Sequence, residues 1–380
     1  MTTVGHDLDL GRQSMSREVL LTRSVALSND SYRVAIIDPT SDRRWDEFVL
    51  GHPHGMIFHR SQWAQVLIES YAYIPRYYAL ETESGALVAA WPAMLVDSRL
   101  TGKRLVSLPF SDNYVPLIRD AGQANQLWAF LLADASELGV KRIEVRGWPD
   151  GIDCPPAMVP VHGYVRHVID LSVGLDSLRK GLSENARRSI RRAQKDGVTT
   201  RVADGVGDID TFIDLNLKLR RSHGMLPQPR RFFDAINRHM IQCGLGYLLM
   251  AEREGTPLAA LLLLRHNNMT LDKYAVNDSR LREYRGSHAV MWKAIEIETE
   301  RGSIQYDLGR SDATAASLHR FKEQWGAVSV DASYLYYPKP GGQNTADPSG
   351  LKKTMLDAFA RFAPDHVYSA AGNIVYRHLG

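Results

Sequence analysis

The chain has 380 residues, of which 44% are hydrophobic and 23% are charged, a composition typical of globular proteins that excludes a fibrous or wholly disordered chain. Its 46 lysines and arginines against 43 aspartates and glutamates leave a net charge of only +3, so overall charge does not indicate a nucleic-acid-binding protein. At roughly 100–200 residues per domain, the length predicts two or three domains.

The cysteines and the N-terminal residues give an indication of the cellular compartment of the protein. Cys154 and Cys243 are far apart in sequence and belong to no CxxC or Cys/His pattern, so we predict neither a disulfide framework nor a metal site. The first 20 residues lack a basic flank followed by an apolar run, and no stretch of roughly 18 apolar residues occurs. We therefore expect a cytoplasmic protein without an integral membrane segment.

The first half of the chain predicts a strand, two helices, a meander of three strands, a long helix and a further strand. Residues 1–30 show no helical or strand periodicity, which predicts a flexible tail. Beyond them, the pattern predicts strands at Arg33–Ile37, Pro75–Glu81, Leu87–Val96, Arg104–Leu108 and Arg142–Val145, with a long helix at Ala124–Leu138. Of the two earlier helices, the first is entered through Ser41 and Asp42. The second carries Trp63, Val66, Leu67 and Ser70 on one face.

The second half repeats this order of elements. Its predicted helices are Asp208–Ser222, Arg230–Gln242 and His288–Glu300, and its predicted strands are Tyr247–Ala251, Leu258–Leu264, Thr270–Ala275 and Gln305–Leu308. Gly85 and Gly255 occupy matching hairpin turns, and Gly139 and Gly302 follow matching helices. The agreement predicts a duplicated domain of about 150 residues.

The predicted fold class is α/β, with mixed sheets that carry helices on both faces, in the element order of the GNAT acyltransferase fold. We predict a first GNAT-like domain at 31–165 and a second at 166–338. For the remaining residues, 339–380, we predict a linker followed by a terminal helix at Leu351–Phe362. Two unrelated α/β domains whose elements happen to align are the alternative.

The strongest charge cluster lies in residues 178–197. On a helix that begins at Ser183 and ends at Gly197, five basic side chains share an arc of roughly 140°. These are Arg187, Arg188, Arg191, Arg192 and Lys195, and the opposite side carries Ala186, Ile190 and Ala193. Such a face binds phosphate groups well, although a solvated helix face has the same pattern.

A second candidate for phosphate binding is the turn that opens the helix after the second meander. It contains Arg282, Arg285, Gly286, Ser287 and His288. Backbone N–H groups at a helix start, with a glycine and nearby arginines, can hold a phosphate. Arg285 stands where the GNAT coenzyme A pattern places its first glycine, which weakens coenzyme A binding here. A plain serine-capped helix start is the alternative.

Two further segments contain candidate catalytic residues. In residues 317–326, Leu318, Phe321 and Trp325 form an apolar stripe, and Lys322 lies about 40° from its centre. Lys322 therefore faces inward, either as a side chain that extends past the aromatic rings or as a stabiliser of developing negative charge. Asp112, Asn113 and Tyr114 follow a strand in a proline-bounded loop, where either site residues or a simple turn fit.

Three runs of sequence resemble signature stretches of the Fem family: 185–193 (NARRSIRRA), 306–311 (YDLGRS) and 320–327 (RFKEQWGA). That family comprises tRNA-dependent aminoacyl transferases that build peptidoglycan bridges, with GNAT-like relatives in exopolysaccharide and natural-product clusters. The resemblance extends from about residue 33 to the end of the chain. It implies two GNAT-like domains that share a cleft. The long helical-hairpin arm of the bridge-forming members has no counterpart in the sequence.

The resemblance also implies roles for individual residues. Lys322, with Phe321, would stabilise the reacting ester carbonyl, and Arg187, Arg188 and Arg191 would contact phosphates. Asp112 is a candidate proton acceptor, a role that the substrate or the tRNA ribose could take instead. The remaining residues expected to bind substrate are Asn113, Tyr114, Arg282, Arg285, Gly286, Ser287, His288, Arg310 and Trp325.

The function expected from these observations is amide formation between an activated aminoacyl group and an amine. Aminoacyl-tRNA is the expected donor, the acceptor carries a free amine on a peptide, envelope precursor or small molecule, and no tightly bound cofactor or metal is expected. An acyl-CoA-dependent N-acyltransferase is the alternative enzyme. A non-catalytic binder of anionic glycan or nucleic acid is the alternative of another class.

Overall fold

The computed structural model describes residues 32–112, 114–203, 205–338 and 358–379. The predicted tail at 1–30, Asn113 and residues 339–357, which include most of the predicted linker, lie outside these ranges. Of the predicted terminal helix Leu351–Phe362, residues 358–362 are described and are helical.

The described part of the chain contains fourteen strands and, besides the helical residues 358–362, ten α-helices. The strands are β1 Arg33–Ile37, β2 Ile74–Glu81, β3 Leu87–Ser98, β4 Gly102–Val106, β5 Arg142–Val145, β6 Val159–Val161, β7 Tyr164–Asp170, β8 Thr199–Val202, β9 Gly246–Arg253, β10 Thr256–His266, β11 Met269–Asn277, β12 Gln305–Asp312, β13 Val328–Asp331 and β14 Tyr334–Tyr337. The helices are α1 Trp45–Gly51, α2 Ser61–Tyr71, α3 Ala121–Glu137, α4 Leu175–Gly181, α5 Glu184–Lys195, α6 Val206–Ser222, α7 Arg230–Ile236, α8 Gly286–Glu300, α9 Ala316–Glu323 and α10 Asp365–Leu379. A π-helical turn, Asn237–Ile241, continues α7 and ends next to the predicted limit of Gln242.

The two sheets have the same strand order, which confirms the predicted duplication. The first sheet runs β1-β2-β3-β4-β5-β14-β6, and the second runs β8-β9-β10-β11-β12-β7-β13. In each sheet the fourth and fifth strands pair in parallel and all the other neighbours pair antiparallel. Gly85 and Gly255 lie in equivalent hairpin turns and have positive φ angles. Gly139 and Gly302, which follow the equivalent helices α3 and α8, also have positive φ angles.

The sixth strand of each sheet comes from the other half of the sequence. β14 lies near the end of the second half but pairs with β5 and β6. β7 follows the elements of the first half but pairs with β12 and β13. The predicted limits 31–165 and 166–338 divide the chain in sequence order, whereas the sheets exchange these strands.

The largest hydrophobic core is continuous between the two sheets. It joins Trp63 and Tyr77 of the first half to Phe232 and Leu262 of the second. A second core lies on the far face of the second sheet, beneath α5 and α8, and contains Trp292 and Trp325. The second sheet is therefore covered on both faces, and loops of the first domain lie against it.

β11 and β12 separate after a short stretch of pairing, which creates the opening that matters for function. They are paired only from Met269–Gln305 to Leu271–Asp307, although both strands continue. In β11 the register against β10 skips Lys273, so this residue forms a β-bulge. In β12 the register against β7 is broken between Asp307 and Arg310. Both strands are thus distorted where they diverge.

The C-terminal helix α10 ties the two halves together. The Tyr73 hydroxyl donates to the carbonyl of Tyr376 (3.0 Å), and Arg104 Nη2 donates to the carbonyl of His378 (2.8 Å). Arg220 of α6 donates to the Tyr376 hydroxyl. Among the described helices, none combines the length and the apolar character needed to cross a bilayer.

Candidate active site between the two sheets

Lys322 lies on α9 and points inward, as the sequence predicts. Its residue is 6% exposed, and its Nζ donates a hydrogen bond to the carbonyl of Gly309 (2.7 Å). Burial lowers the pKa of the Lys322 ammonium, and Asp272, Asp307 and Asp112 act in the opposite direction. The site therefore holds a desolvated cation that is electrostatically coupled to three carboxylates.

One member of the predicted apolar stripe is not buried. Trp325 is 1% exposed, but Leu318 is 40% exposed. α9 has only eight residues, and Lys322 is its sole buried member. The prediction that Leu318 packs inward is wrong, because the helix meets the sheet through its last turn.

Gly309 is the geometric centre of the site. Its φ of +72° lies in the left-handed region. A Cβ atom built on it would lie 3.2 Å from the Asp272 carbonyl oxygen and 4.0 Å from the Asp112 Cγ. Its amide donates to Asp307 Oδ1 (2.9 Å). Asp112 of the first domain and Asp272 and Lys322 of the second thus surround one glycine.

Asp112 reaches this point through an ion pair between the domains. Its Oδ2 accepts a hydrogen bond from Lys273 Nζ (2.7 Å), which also donates to the carbonyl of Phe110 (2.7 Å). The Lys273 ammonium lies 5.3 Å from the ring centroid of Phe58 and 5.9 Å from that of Trp63. Burial lowers the pKa of Lys273, while the carboxylate of Asp112 raises it.

Asp272 is a site residue that the sequence reasoning missed. It is 7% exposed, and its Oδ1 is buried without a hydrogen-bond partner in the described structure. Burial raises the pKa of Asp272 to about 7. The sequence signal that could have revealed Asp272 is the pair of consecutive charged residues, Asp272 and Lys273, in a strand that has no other charged residue.

Arg310 and its neighbours form the polar edge of the opening. Arg310 Nη1 donates to the Tyr334 hydroxyl (2.5 Å), and its guanidinium lies 4.0 Å from the ring centroid of Tyr164. Arg166 Nε donates to Asp307 Oδ2 (2.9 Å) as part of a buried ion pair. The side chain of Arg310, expected to bind substrate, is thus held by two tyrosines next to Gly309.

Known proteins match this arrangement in sequence and in fold. A model of the acetyltransferase (GNAT) domain matches residues 180–323, which include α5, β11, β12 and Lys322. The UDP-N-acetylmuramoylpentapeptide-lysine N(6)-alanyltransferase of Weissella viridescens is 24% identical over 315 residues, covering 75% of this chain and 89% of that enzyme. The chain is an acyltransferase of the GNAT fold.

Solved structures agree on the tandem arrangement. The crystal structure of FemX has a TM-score of 0.63 at 14% identity, covering 78% of this chain and 95% of FemX. A tandem GNAT protein from the clavulanic acid biosynthesis pathway has a TM-score of 0.53 at 12% identity, covering 82% of this chain and 99% of that protein. These findings confirm the resemblance to Fem proteins and the predicted tandem GNAT-like fold.

The basic helix of this acyltransferase begins beside the site. The Ser183 Oγ accepts from the amide of Ala186 (3.1 Å) and caps α5 as predicted. The Ser183 amide donates to the carbonyl of Gln324 (2.9 Å), and Asn185 Nδ2 donates to Gln324 Oε1 (3.0 Å). Because Gln324 lies two residues after Lys322, these bonds place the start of α5 next to the site.

The basic side chains of α5 differ in whether they form hydrogen bonds or ion pairs within the protein. Arg192 pairs with Asp196 (2.5 Å), and Arg187 donates to the carbonyl of Lys180 (3.4 Å). Within the described ranges, Arg188, Arg191 and Lys195 have no ionic or hydrogen-bonded partner, and all three are exposed. These three side chains are therefore available for an anionic partner.

The turn before α8 differs from both sequence interpretations. α8 begins at Gly286 after a left-handed Arg285, with no side-chain cap, so the serine-capped start is wrong. A Cβ atom on Gly286 would lie 2.6 Å from the Cβ of Leu258. Gly286 is therefore needed for close packing of α8 on β10, and a phosphate contact is not its reason. Arg282 and Arg285 are exposed, and Ser287 is half-buried.

The remaining predicted residues divide between the site and the cores. His288 packs its ring against Phe321 and Trp325 (centroids 5.6 and 5.7 Å apart), and burial lowers its pKa to about 4. Tyr114 is fully buried, and its hydroxyl donates to the carbonyl of Pro92 (2.8 Å). The structure does not support a substrate contact by Tyr114, because its only polar group is already used inside the first domain.

Proposed function

We propose that this acyltransferase moves an aminoacyl group from aminoacyl-tRNA to a free amine of a cell-envelope peptide precursor, forming an amide. The observation that carries the proposal is the buried ammonium of Lys322 at the point where β11 and β12 diverge, held 2.7 Å from the carbonyl of Gly309. Beyond this point β11 and β12 no longer pair with each other, and the charged side chains of Asp112, Asp272 and Lys322 lie around Gly309. A reacting carbonyl placed there meets a desolvated cation.

The reaction requires positioning and charge stabilisation more than covalent chemistry. The amine nitrogen attacks the ester carbonyl carbon, and the carbonyl π electrons move to oxygen. Lys322 stabilises this oxyanion. The attacking nitrogen loses one proton, the carbonyl re-forms as the ester C–O bond breaks, and the leaving ribose oxygen of the tRNA takes up that proton. Asp112, the proton acceptor suggested by the sequence, has its Oδ2 occupied by the ammonium of Lys273.

Two observations favour aminoacyl-tRNA over acyl-CoA as the donor. The start of α5 is hydrogen-bonded to Gln324, beside the site, and Arg188, Arg191 and Lys195 of that helix face solvent. Gly286, the glycine of the turn before α8, is needed for packing against Leu258, and Arg285 stands where the coenzyme A pattern has its first glycine. A polyanionic RNA donor fits the first observation, and a coenzyme A donor is disfavoured by the second.

The donor is tested by offering the purified protein two activated groups. One reaction contains tRNA charged with labelled amino acids, the other contains labelled acetyl-CoA, and both contain UDP-N-acetylmuramoyl-pentapeptide with a lysine side chain. We expect label to enter the peptide only from charged tRNA and to be lost when the tRNA is digested first. Transfer from acetyl-CoA alone would establish the alternative donor. Binding of RNA without transfer to any acceptor would favour the non-catalytic class.

Arg188→Ala combined with Arg191→Ala tests the role of α5. We expect the KM for charged tRNA to rise and the slope of log KM against log salt to fall by about 2, because two phosphate contacts are lost. The melting temperature stays unchanged, since both side chains are exposed. Arg230→Ala with Arg238→Ala removes the same charge from the region of α7 and is the matched control. Equal effects from both pairs would show that only net charge matters.

A further inference from the structure

Asp272 differs from every other carboxylate around the opening. Asp112 pairs with Lys273, and Asp307 accepts bonds from Arg166 and from the amide of Gly309. Glu298, fully buried nearby, accepts bonds from Tyr247, Thr270, Ser303 and Arg265. Asp272 has a buried Oδ1 without any such partner in the part of the chain that the structure describes. A buried carboxylate oxygen without a hydrogen-bond partner is costly to a folded protein and calls for an explanation.

Lys322 shows the complementary property. It donates to the carbonyl of Gly309 and forms no ion pair with a carboxylate among the described residues. The backbone of Asp272 lies beside the same glycine, because its carbonyl oxygen is 3.2 Å from the position of a Gly309 Cβ. Each side chain is among the strongest electrostatic influences on the other, yet no hydrogen bond joins them. The site therefore keeps one buried cation and one buried anion apart.

A separated pair of this kind is complementary to the intermediate of amide formation. Attack of a neutral amine on an ester forms a C–N bond, leaves a negative charge on the carbonyl oxygen and leaves a positive charge on the attacking nitrogen. Lys322 matches the first charge. We propose that Asp272, with its buried and unpartnered Oδ1 beside this glycine, is the proton acceptor for the attacking amine. The inference rests on the proposed function, because it assigns a role within that reaction.

The protons balance over one turnover. Asp272 takes the proton from the attacking nitrogen as the intermediate loses its positive charge. When the carbonyl re-forms and the ester C–O bond breaks, the leaving ribose oxygen takes that proton back. Asp272 returns to its starting state, and no other reactant is required.

The electrostatic surroundings suit this role. Burial raises the pKa of Asp272 to about 7, with Asp112 and Asp307 acting in the same direction and Lys322 and Lys273 opposing. Tyr306 of β12 also faces it, and Asp272 contributes to raising the pKa of that tyrosine. A base is most effective when its pKa lies near the working pH. Asp112 is less suited, because the ammonium of Lys273 occupies its Oδ2.

Asp272→Asn is the decisive variant, with Asp112→Asn and Asp272→Glu as comparisons. Deprotonation of the acceptor amine raises the rate with pH in every variant, and ionisation of Asp272 adds a second rise below about pH 7. In single-turnover transfer from charged tRNA, we expect Asp272→Asn to slow the reaction by about 10²–10⁴ and to remove this second rise. Asp272→Glu keeps the second rise at a reduced rate. The inference is overturned if Asp272→Asn keeps the wild-type rate and profile, or if only Asp112→Asn removes the second rise.

Two measurements test Asp272 without any substrate. In protein labelled with ¹³Cγ-aspartate, one carboxyl resonance should titrate near pH 7 and be absent from Asp272→Asn. Because the pKa is higher in the folded state than in the unfolded state, ionisation of Asp272 costs stability as the pH rises from about 4 to 7. The melting temperature of Asp272→Asn relative to wild type should therefore be higher at pH 8 than at pH 5. A resonance near pH 7 that persists in Asp272→Asn, or none at all, contradicts the inference.

These outcomes separate the two proposals. If only an acyl thioester serves as donor, the same pH comparison is made with that donor, because the amine loses a proton in either reaction. If no donor reacts, the proposed function fails, and the role of Asp272 in it fails as well. If charged tRNA reacts and the Asp272 variants behave as wild type, only this inference fails.

Discussion

Lys322→Met is expected to lower the turnover number by about 10²–10³, which corresponds to roughly 2.7–4 kcal/mol in the barrier. The ammonium is buried beside Gly309, where the low local dielectric strengthens its attraction for an oxyanion. Methionine keeps the length and the apolar stem but cannot stabilise negative charge. Steady-state kinetics with saturating acceptor measure the effect, and Lys322→Arg should restore only part of it, because a planar guanidinium does not reproduce a compact ammonium.

The melting temperature of Lys322→Met should change little. The variant leaves the carbonyl of Gly309 without its donor, which costs about 1–3 kcal/mol, but it also removes a desolvated charge. Lys293→Met, which removes a half-buried lysine of α8 paired with Glu296, is the control and should keep full activity. Normal turnover of Lys322→Met, or unfolding of the variant, would make Lys322 a packing residue.

Breaking the pair between Lys273 and Asp112 is expected to cost about 3–5 kcal/mol in the free energy of unfolding. Their side chains are only 4% and 19% exposed, so Asp112→Asn leaves the Lys273 ammonium buried without its counter-charge. The pair also joins a loop of the first domain to β11 of the second. Urea denaturation of Asp112→Asn, Lys273→Met and the double variant measures the coupling.

The double variant should be less destabilised than the sum of the two single variants, because neither charge is then left alone. Arg230→Met provides the surface control, since Arg230 and its partner Asp210 are 59% and 50% exposed. That change should cost less than about 1 kcal/mol. Purely additive effects at Lys273 and Asp112 would show that the two residues contribute independently.

Local patterns in the sequence were sufficient for much of the fold. Strand β1 and strand β5 have the predicted limits, and α5 has its predicted cap at Ser183 and its predicted buried face. Periodicity indicates which face of an element is apolar, and glycines mark where elements end. These features can therefore be predicted without knowing which other element packs against them. The inward direction of Lys322 follows from the same reasoning.

The errors of sequence reasoning have a common cause. Tyr114 was expected in a site but packs in a core, Gly286 was expected to approach a phosphate but contacts Leu258, and Leu318 was expected inside but is exposed. In each case the residue type and spacing are compatible with the predicted environment and equally with the observed one. The element that packs against the residue decides between them, and that element is distant in sequence.

The sequence by itself determined the element order, the duplication, the basic helix and the candidate lysine. Only the tertiary structure decided that the sheets exchange β7 and β14, and that Lys273 lies at a bulge and bonds to Asp112. It also decided that Asp272 Oδ1 is buried without a hydrogen-bond partner among the described residues. The physical reason is the range of the interactions. Helix and strand periods arise between residues a few positions apart, whereas this site is assembled from a first-domain loop, two diverging strands and a short helix, which only strand pairing and core packing bring together.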